Sequence, residues 1–424
     1  MSDPTIANTA PQIAWLDDSG TRHTARWRSL AGHPAPARVQ AVGDELAANE
    51  AYRLLNAGTA LLWLGDYQGG HHLLQALGRR VDARLARQAG APATPATPVT
   101  PATPISPVTR ATPTSRASAK TATTATAPAT PAALKHAFFA QRQAQAMRAR
   151  ILGGLLLPFD ADHGVPLRRA PDLRQPGLQA HGVVAEHYVA SLRELLGLVG
   201  AFEWRKRGVL VRPLGATIHP HHGVFSPVRG EYVDLVAQAP LPPAAPAQGA
   251  FDIGTGTGVL ALVLAKRGLR VTATDLSAAA LACAADNVGR LGLAGSITLL
   301  SADLFPEGRA GLVVCNPPWL PAAPSSPLEA AVYDPDSAML RGFLAGLAAH
   351  LAPGGEGWLL LSDLAEHLGL RSRETLLGWI TAAGLQVLGR IDTRPRHRKV
   401  ADTSDPLHAA RAAELTSLWR LGAA

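Results

Sequence analysis

Between residues 44 and 88 the apolar positions recur at helical spacing, as Leu54, Leu55, Leu61, Leu62 and Leu64, then Leu73, Leu74, Leu77, Val81 and Leu85. Gly65, Gly69 and Gly70 divide the run, so residues 1–90 read as a small helical domain built on an αα-hairpin. Residues 132–157 read as one long amphipathic helix ended by Gly153, Gly154 and Pro158, and a second helix is expected through Ala185–Val199. Residues 203–220 alternate in the manner of short strands, so a β-hairpin should close a helical accessory region at 134–219. From residue 249 the pattern changes. Strands at 249–254, 269–275, 296–303, 310–316, 356–362, 385–391 and 414–421 alternate with helices reaching Arg267 and Leu291 and with helices near 337–351 and 366–382. That pattern predicts an α/β fold, an open and mainly parallel seven-stranded sheet covered on both faces at 220–424.

A length of 424 residues exceeds what one core usually holds, and 47% hydrophobic content excludes a wholly disordered chain. Residues 91–133 stand apart: they are nearly all Ala, Thr and Pro, with Arg110, Arg116 and Lys120 and no acidic residue. They cannot build a core and are expected to be a semi-stiff disordered linker. No apolar run approaches the ~20 residues needed to span a bilayer, since Ile151–Leu157 is broken by two glycines, so no membrane partner is expected. The N-terminus, with Asp3, Asp17 and Asp18, lacks the pattern of a secretory signal, and two cysteines, Cys283 and Cys315, are too few for a disulfide framework. A cytoplasmic location follows as the expectation. The net charge of +8 is uneven: residues 134–240 hold 13 basic against 8 acidic side chains, which marks them as a place for an anionic partner or merely a solvated surface. His71 and His72, and His219, His221 and His222, lack companions at ligand spacing, so no metal is expected.

The chemistry concentrates at strand ends. Asp252-Ile253-Gly254-Thr255-Gly256-Thr257-Gly258 follows one strand and opens a helix, and its G-x-G-x-G spacing argues against a pyrophosphate-binding dinucleotide loop. Asp275, followed by Leu276, ends the next strand, where a carboxylate can accept hydrogen bonds from the two hydroxyls of a ribose. Asp303 and Leu304 follow the third, placed for a polar contact to an adenine amino group and an apolar one to its ring. The fourth ends in Cys315-Asn316-Pro317-Pro318-Trp319. Proline cannot extend the ladder, so the strand stops and presents Asn316 at the carboxyl edge. The Asn316 side-chain oxygen and the Pro317 carbonyl can each accept a hydrogen from a planar NH2 group, with Trp319 stacked on its face.

In this order the glycine loop, the acidic residue and the Asn-Pro-Pro-aromatic motif resemble the Rossmann-like (class I) methyltransferases that use S-adenosylmethionine, over about residues 220–421. Phe225-Ser226-Pro227-Val228-Arg229-Gly230-Glu231 and Val332-Tyr333-Asp334-Pro335-Asp336-Ser337-Ala338-Met339-Leu340 are similar to segments of the HemK-type glutamine N5-methyltransferases, although Trp319 stands where those usually carry Tyr. The resemblance implies S-adenosylmethionine as cofactor, held by Asp252, Gly254, Thr255, Gly256, Gly258, Asp275, Leu276, Asp303, Leu304 and Asn316. It implies catalysis by Asn316, Pro317, Pro318 and Trp319. The expected acceptor is a protein glutamine amide of release-factor type. An exocyclic base amine in rRNA, tRNA or DNA is the alternative, since Trp also suits nucleic-acid methyltransferases, and a non-catalytic scaffold is a third reading. Oligomeric state is not legible.

Overall fold

The computed structural model describes residues 11–17, 19–88, 130–227, 230–326, 328–396 and 401–424. The linker at 91–129 lies outside them. Thr130 accepts a hydrogen bond from the Ala133 backbone N–H and caps a helix with proline in its first turn, so Pro131–Ala133, grouped by composition with the linker, are already helical.

Before residues 89–129 come β1 (Gln12–Leu16), β2 (Arg22–Trp27), β3 (Val39–Val42), α1 (Ala48–Asn56), β4 (Ala60–Trp63) and α2 (Tyr67–Gln88). After them come α3 (Pro131–Gly153), β5 (Leu155–Phe159), α4 (Arg174–His181), β6 (Tyr188–Ser191) and α5 (Leu192–Arg207). The helices expected in both stretches are present, but the same stretches supply six strands that form one sheet in the order β1-β2-β6-β5-β4-β3. Residues 1–90 are therefore not a self-contained helical domain, and residues 134–219 are not purely helical. The reason is visible in β4. Leu61 and Trp63 face one core with Leu155, Leu157 and Tyr188, while Ala60 and Leu62 face another with Ile13, Trp27 and Val189. A strand buried on both faces reads as an unbroken apolar run, which spacing alone does not separate from a buried helix.

The expected hairpin is β7 (Val209–Val211) with β8 (Ala216–Ile218). Beyond it lie α6 (Glu231–Gln238), α7 (Ala245–Gln248), β9 (Ala250–Ile253), α8 (Val259–Lys266), β10 (Val271–Asp275), α9 (Ala278–Arg290), β11 (Ile297–Ser301), β12 (Ala310–Cys315), α10 (Ala338–His350), β13 (Leu351–Ser362), α11 (Leu364–His367), α12 (Arg373–Ala382), β14 (Leu385–Thr393), α13 (His408–Ala413) and β15 (Thr416–Ala423). Seven strands run in the order β11-β10-β9-β12-β13-β15-β14, parallel except that β15 is antiparallel to both neighbours. Ala250, Leu312 and Val314 pack under α6 and α8 on one face; Phe251, Ile253, Val313 and Cys315 pack under α10 and α12 on the other. This is the Rossmann-like α/β sheet expected from the alternation.

Helix α3 joins the two units. Its last turn places Ile151 and Leu152 in the core of the first sheet, and its first turns place Leu134 and Phe138 against Leu364, Leu368 and Leu407 of the second. Arg142 lies over the Tyr333 ring and donates to the Ala323 carbonyl at 2.6 Å. No helix among the described residues is long and apolar enough to cross a membrane.

Candidate functional site

The chain runs from β9 outward to β10 and β11, then returns to the other side of β9 for β12, so the sheet has its switch point between β9 and β12. Open α/β sheets bind ligands in the crevice at the carboxyl ends beside such a point. Register aligns the motifs there: Ile253 pairs with Thr274 on one side and Cys315 on the other, and Asp275 pairs with Ser301. Gly254, Asp275 and Asn316 thus leave neighbouring strands at one level, with Asp303 just beyond the end of β11.

The glycine loop is left-handed where the sequence requires it. Gly254 has φ +72°, and Gly256 has φ +56° with open space where a Cβ would stand. Asp275 locks this loop to the second strand: one carboxylate oxygen accepts from Gly256 N–H at 3.0 Å and the other from Ser277 N–H at 2.8 Å. Leu276 beside it is 69% exposed, an apolar surface facing outward at the carboxyl edge. Asp303 is exposed, and Leu304 adopts φ +67° while its carbonyl accepts from the Thr274 hydroxyl. Gly258 caps α8.

Asp252 and Thr255 have a different place from the one expected. Asp252 is 1% exposed, accepting from the Thr255 hydroxyl at 2.6 Å and from Ala261 N–H at 3.0 Å, so it fastens the loop to the first turn of α8 from below. Burial pushes its carboxyl up to about 6 against those two hydrogen bonds.

At the fourth strand end, Pro317 is buried and Asn316, Pro318 and Trp319 are partly so. The Trp319 indole N–H donates to Asn316 Oδ1 at 3.0 Å, and Trp319, like Leu304, Phe305 and Met339, is partly buried against the core under α10 and α12. Trp319 is thus both a flat wall and the group that orients the Asn316 carboxamide. The chain then pairs back on itself, Leu320 N–H to the Val332 carbonyl and Asp334 N–H to the Leu320 carbonyl, while the Asp334 carboxylate caps α10 through Met339 and Leu340.

Two features escaped the sequence. Arg371, 6% exposed, donates to Ser337 Oγ at 3.1 Å and reaches the Trp319 carbonyl at 3.5 Å; burial pushes its pKa down. Asn287, fully buried on α9, donates to the Thr257 carbonyl and accepts from His219 N–H, tying the glycine loop to the segment after the hairpin. Neither has a motif around it. His221, which has no companions at ligand spacing, contacts Asp286 Oδ2 at 3.1 Å.

The family model of the methyltransferase small domain matches residues 215–367, the stretch that carries all four strand ends. Those residues are a class I methyltransferase domain. Over 165 residues the chain is 38% identical to the release factor glutamine methyltransferase of Cereibacter sphaeroides, covering 34% of this chain and 56% of that one. The match to the enzyme of the same name from Deinococcus radiodurans is 38% over 164 residues, 35% and 56% of the two chains. With ribosomal RNA small subunit methyltransferase C of Alcanivorax borkumensis it shares 30% identity over 137 residues, 30% and 38% of the two chains. The chain therefore spans about half the length of the release factor glutamine methyltransferases it matches. A methyltransferase structure from Pyrococcus furiosus overlaps 53% of this chain and 98% of that one at 18% identity with a TM-score of 0.37. The family match takes in β9–β13 of the second sheet, while β14, β15 and the whole first sheet lie outside it.

Proposed function

We propose that the chain is an S-adenosylmethionine-dependent N-methyltransferase acting on a planar NH2 group, a protein glutamine amide of the release-factor type. The observation that carries the reading is the Asn316 carboxamide, fixed by Trp319 beside the glycine loop at the switch point. The residues suit the cofactor: open space above Gly256, the Asp275 carboxylate for a ribose diol, and exposed Leu276 with Leu304 for a purine ring. When bound, the cofactor supplies an electrophilic methyl carbon on a sulfonium, with a neutral thioether as leaving group.

An amide nitrogen is a poor nucleophile because its lone pair is delocalised. Asn316 Oδ1 has one lone pair committed to Trp319 and one left to accept from the substrate NH2; the Pro317 carbonyl is a second acceptor. Two acceptors gripping the NH2 favour pyramidal nitrogen and become stronger partners as positive charge develops, which stabilises the transition state more than the ground state. Positioning supplies the rest, and no strong base is required, because the proton on nitrogen becomes acidic once the methyl is attached.

The glutamine reading is supported by the two relatives at 38% identity. The basic excess of residues 134–240 supports an RNA substrate less than composition suggests. Arg142, Arg148, Arg168, Arg169, Arg174 and Arg205 all pair with carboxylates of the same chain, which leaves fewer cations for phosphates. The test is Asn316→Ala. It is expected to abolish methyl transfer while adenosylhomocysteine binding, followed by calorimetry, stays within about threefold of wild type. Wild-type turnover in the variant refutes the mechanism, and label from the cofactor appearing in RNA rather than protein refutes the substrate class.

A further inference from the structure

The loop that follows the Asn-Pro-Pro-Trp motif has little to hold its own shape, and much of what holds it comes from the other unit. It leaves the motif at Trp319 and returns at Asp334. Among the described residues two backbone hydrogen bonds join its arms, Leu320 N–H to the Val332 carbonyl at 3.2 Å and Asp334 N–H to the Leu320 carbonyl at 2.9 Å. A two-stranded ribbon with so short a ladder is marginal in water. At its base, Arg371 reaches Ser337 and the Trp319 carbonyl. Its outer part rests on α3.

Leu134, Phe138 and Arg142 stand four residues apart and so share one face of α3. Leu134 and Phe138 pack in one cluster with Leu320 and Ala322, and the Phe138 and Tyr333 rings lie 6.4 Å apart. Arg142 adds what the apolar pair cannot. Its Nη2 donates to the Ala323 carbonyl on the outgoing arm at 2.6 Å and lies 3.4 Å from Glu329 Oε2 on the returning arm. Its guanidinium carbon sits 3.8 Å from the centre of the Tyr333 ring. Glu329 in turn accepts from Ser325 N–H at 2.9 Å and Ser325 Oγ at 2.7 Å. One planar cation therefore cross-links both arms. With a side-chain exposure of 17% it does so largely out of water, where such contacts are stronger. Glu329 balances its charge, so Arg142 is not a spare cation for a ligand.

We propose that Arg142 is a positioning residue for the methyl acceptor, through which the unit built on the first sheet sets the shape of the loop that begins at Trp319. This rests on the reading of Asn316 and Trp319 as the acceptor site. Trp319 and Arg371 fix the motif itself, so loosening the loop costs acceptor binding more than the chemical step. Full-length wild type, Arg142→Ala, Arg142→Lys and Tyr333→Leu are assayed with labelled S-adenosylmethionine on a purified bacterial release factor and on total bacterial RNA, and kinetics are followed on whichever takes label. Arg142→Ala is expected to raise the acceptor KM about five- to tenfold, with kcat and adenosylhomocysteine affinity within about twofold of wild type. Arg142→Lys, which keeps a cation over the ring but loses the planar fork, should recover part of the loss. Tyr333→Leu should raise KM as well, and less than additively when combined with Arg142→Ala, because the two residues share one contact. Amide exchange at Leu320 and Asp334 should quicken in Arg142→Ala. Thermal melting identifies the folded variants, and if Arg142→Ala does not fold, Tyr333→Leu carries the test with α3 untouched. An active wild type whose folded variants keep the wild-type acceptor KM, or lose cofactor affinity in parallel with it, overturns this inference alone. Label in neither acceptor overturns the methyl-transfer reading and this inference with it.

Discussion

Trp319 shows how one residue type can be legible and its role only half so. The Asn-Pro-Pro-aromatic spacing announces the strand end and the acceptor, because proline must stop the ladder. That the indole N–H would be committed to Asn316 Oδ1 is a matter of side-chain rotation, which spacing does not encode. Trp319→Phe keeps the flat wall and removes the donor, so kcat is expected to fall about tenfold with little change in cofactor affinity, the rate equivalent of about 1.4 kcal/mol. Steady-state kinetics with an adenosylhomocysteine titration check it, and an unchanged kcat contradicts the orienting role. Arg371 was invisible for another reason: its partners Ser337 and Trp319 lie 34 and 52 residues away. Arg371→Gln is expected to lower kcat and to destabilise the fold by about 1–3 kcal/mol, because the Ser337 hydroxyl and Trp319 carbonyl lose their donor; urea unfolding reads the second effect. Gly256→Ala separates strain from binding. Its Cβ meets no atom within 4 Å, so the left-handed φ alone should cost about 1–2 kcal/mol of stability, while cofactor affinity falls further because the methyl group fills the cradle.

Among elements, β9 and β12 are legible as strands although every residue is buried, because each is a short apolar run closed by Gly254 or Pro317, whereas β4 and β6 sit inside longer apolar stretches and are not. Helix α9 and its flanking strands follow from alternation alone. Strand β4 and strand β6, four residues each and wholly buried, were absorbed into expected helices, since Ala60–Trp63 and Tyr188–Ser191 have no polar face to show a period of two. Helix α9 is also where pH should act. Burial raises the carboxyl of Asp286, but hydrogen bonds from His221 and Arg290, joined by Arg205, outweigh it and hold the group at about 2. A carboxyl depressed in the folded state stabilises above its unfolded value and loses that contribution as pH falls through the folded one. Asp286→Asn is therefore expected to cost about 1–2 kcal/mol at pH 7, and the difference from wild type should shrink between about pH 4 and pH 2. Urea titrations across that range would show a constant difference if the pairing were unimportant.

For the whole molecule, the alternation of strands and helices locates the second sheet, but nothing local in the sequence shows that the first sheet is assembled from both sides of residues 89–129. Cross-chain strand pairing carries no local signal, because β2 and β6 meet over two residue pairs separated by more than 160 positions. Deleting residues 1–90 should accordingly behave worse than composition suggests. It would strip β1–β4 from β5 and β6 and uncover Leu155, Leu157 and Tyr188, so the remaining chain is expected to be insoluble or to bind a hydrophobic dye strongly. A soluble, cooperatively melting product would mean that residues 131–424 stand alone.

Placing β6 and β5 between β2 and β4 also constrains synthesis. The pairs β1–β2 and β3–β4 emerge from the ribosome first and can each form their own ladder, but the two pairs are not neighbours and have nothing to join them. At ordinary elongation rates of about 5–20 residues per second, the middle strands follow somewhere from about 6 to about 25 s later. Through that interval Leu61 and Trp63 lack their native shelter, which makes the nascent first half of this chain a natural client for chaperones.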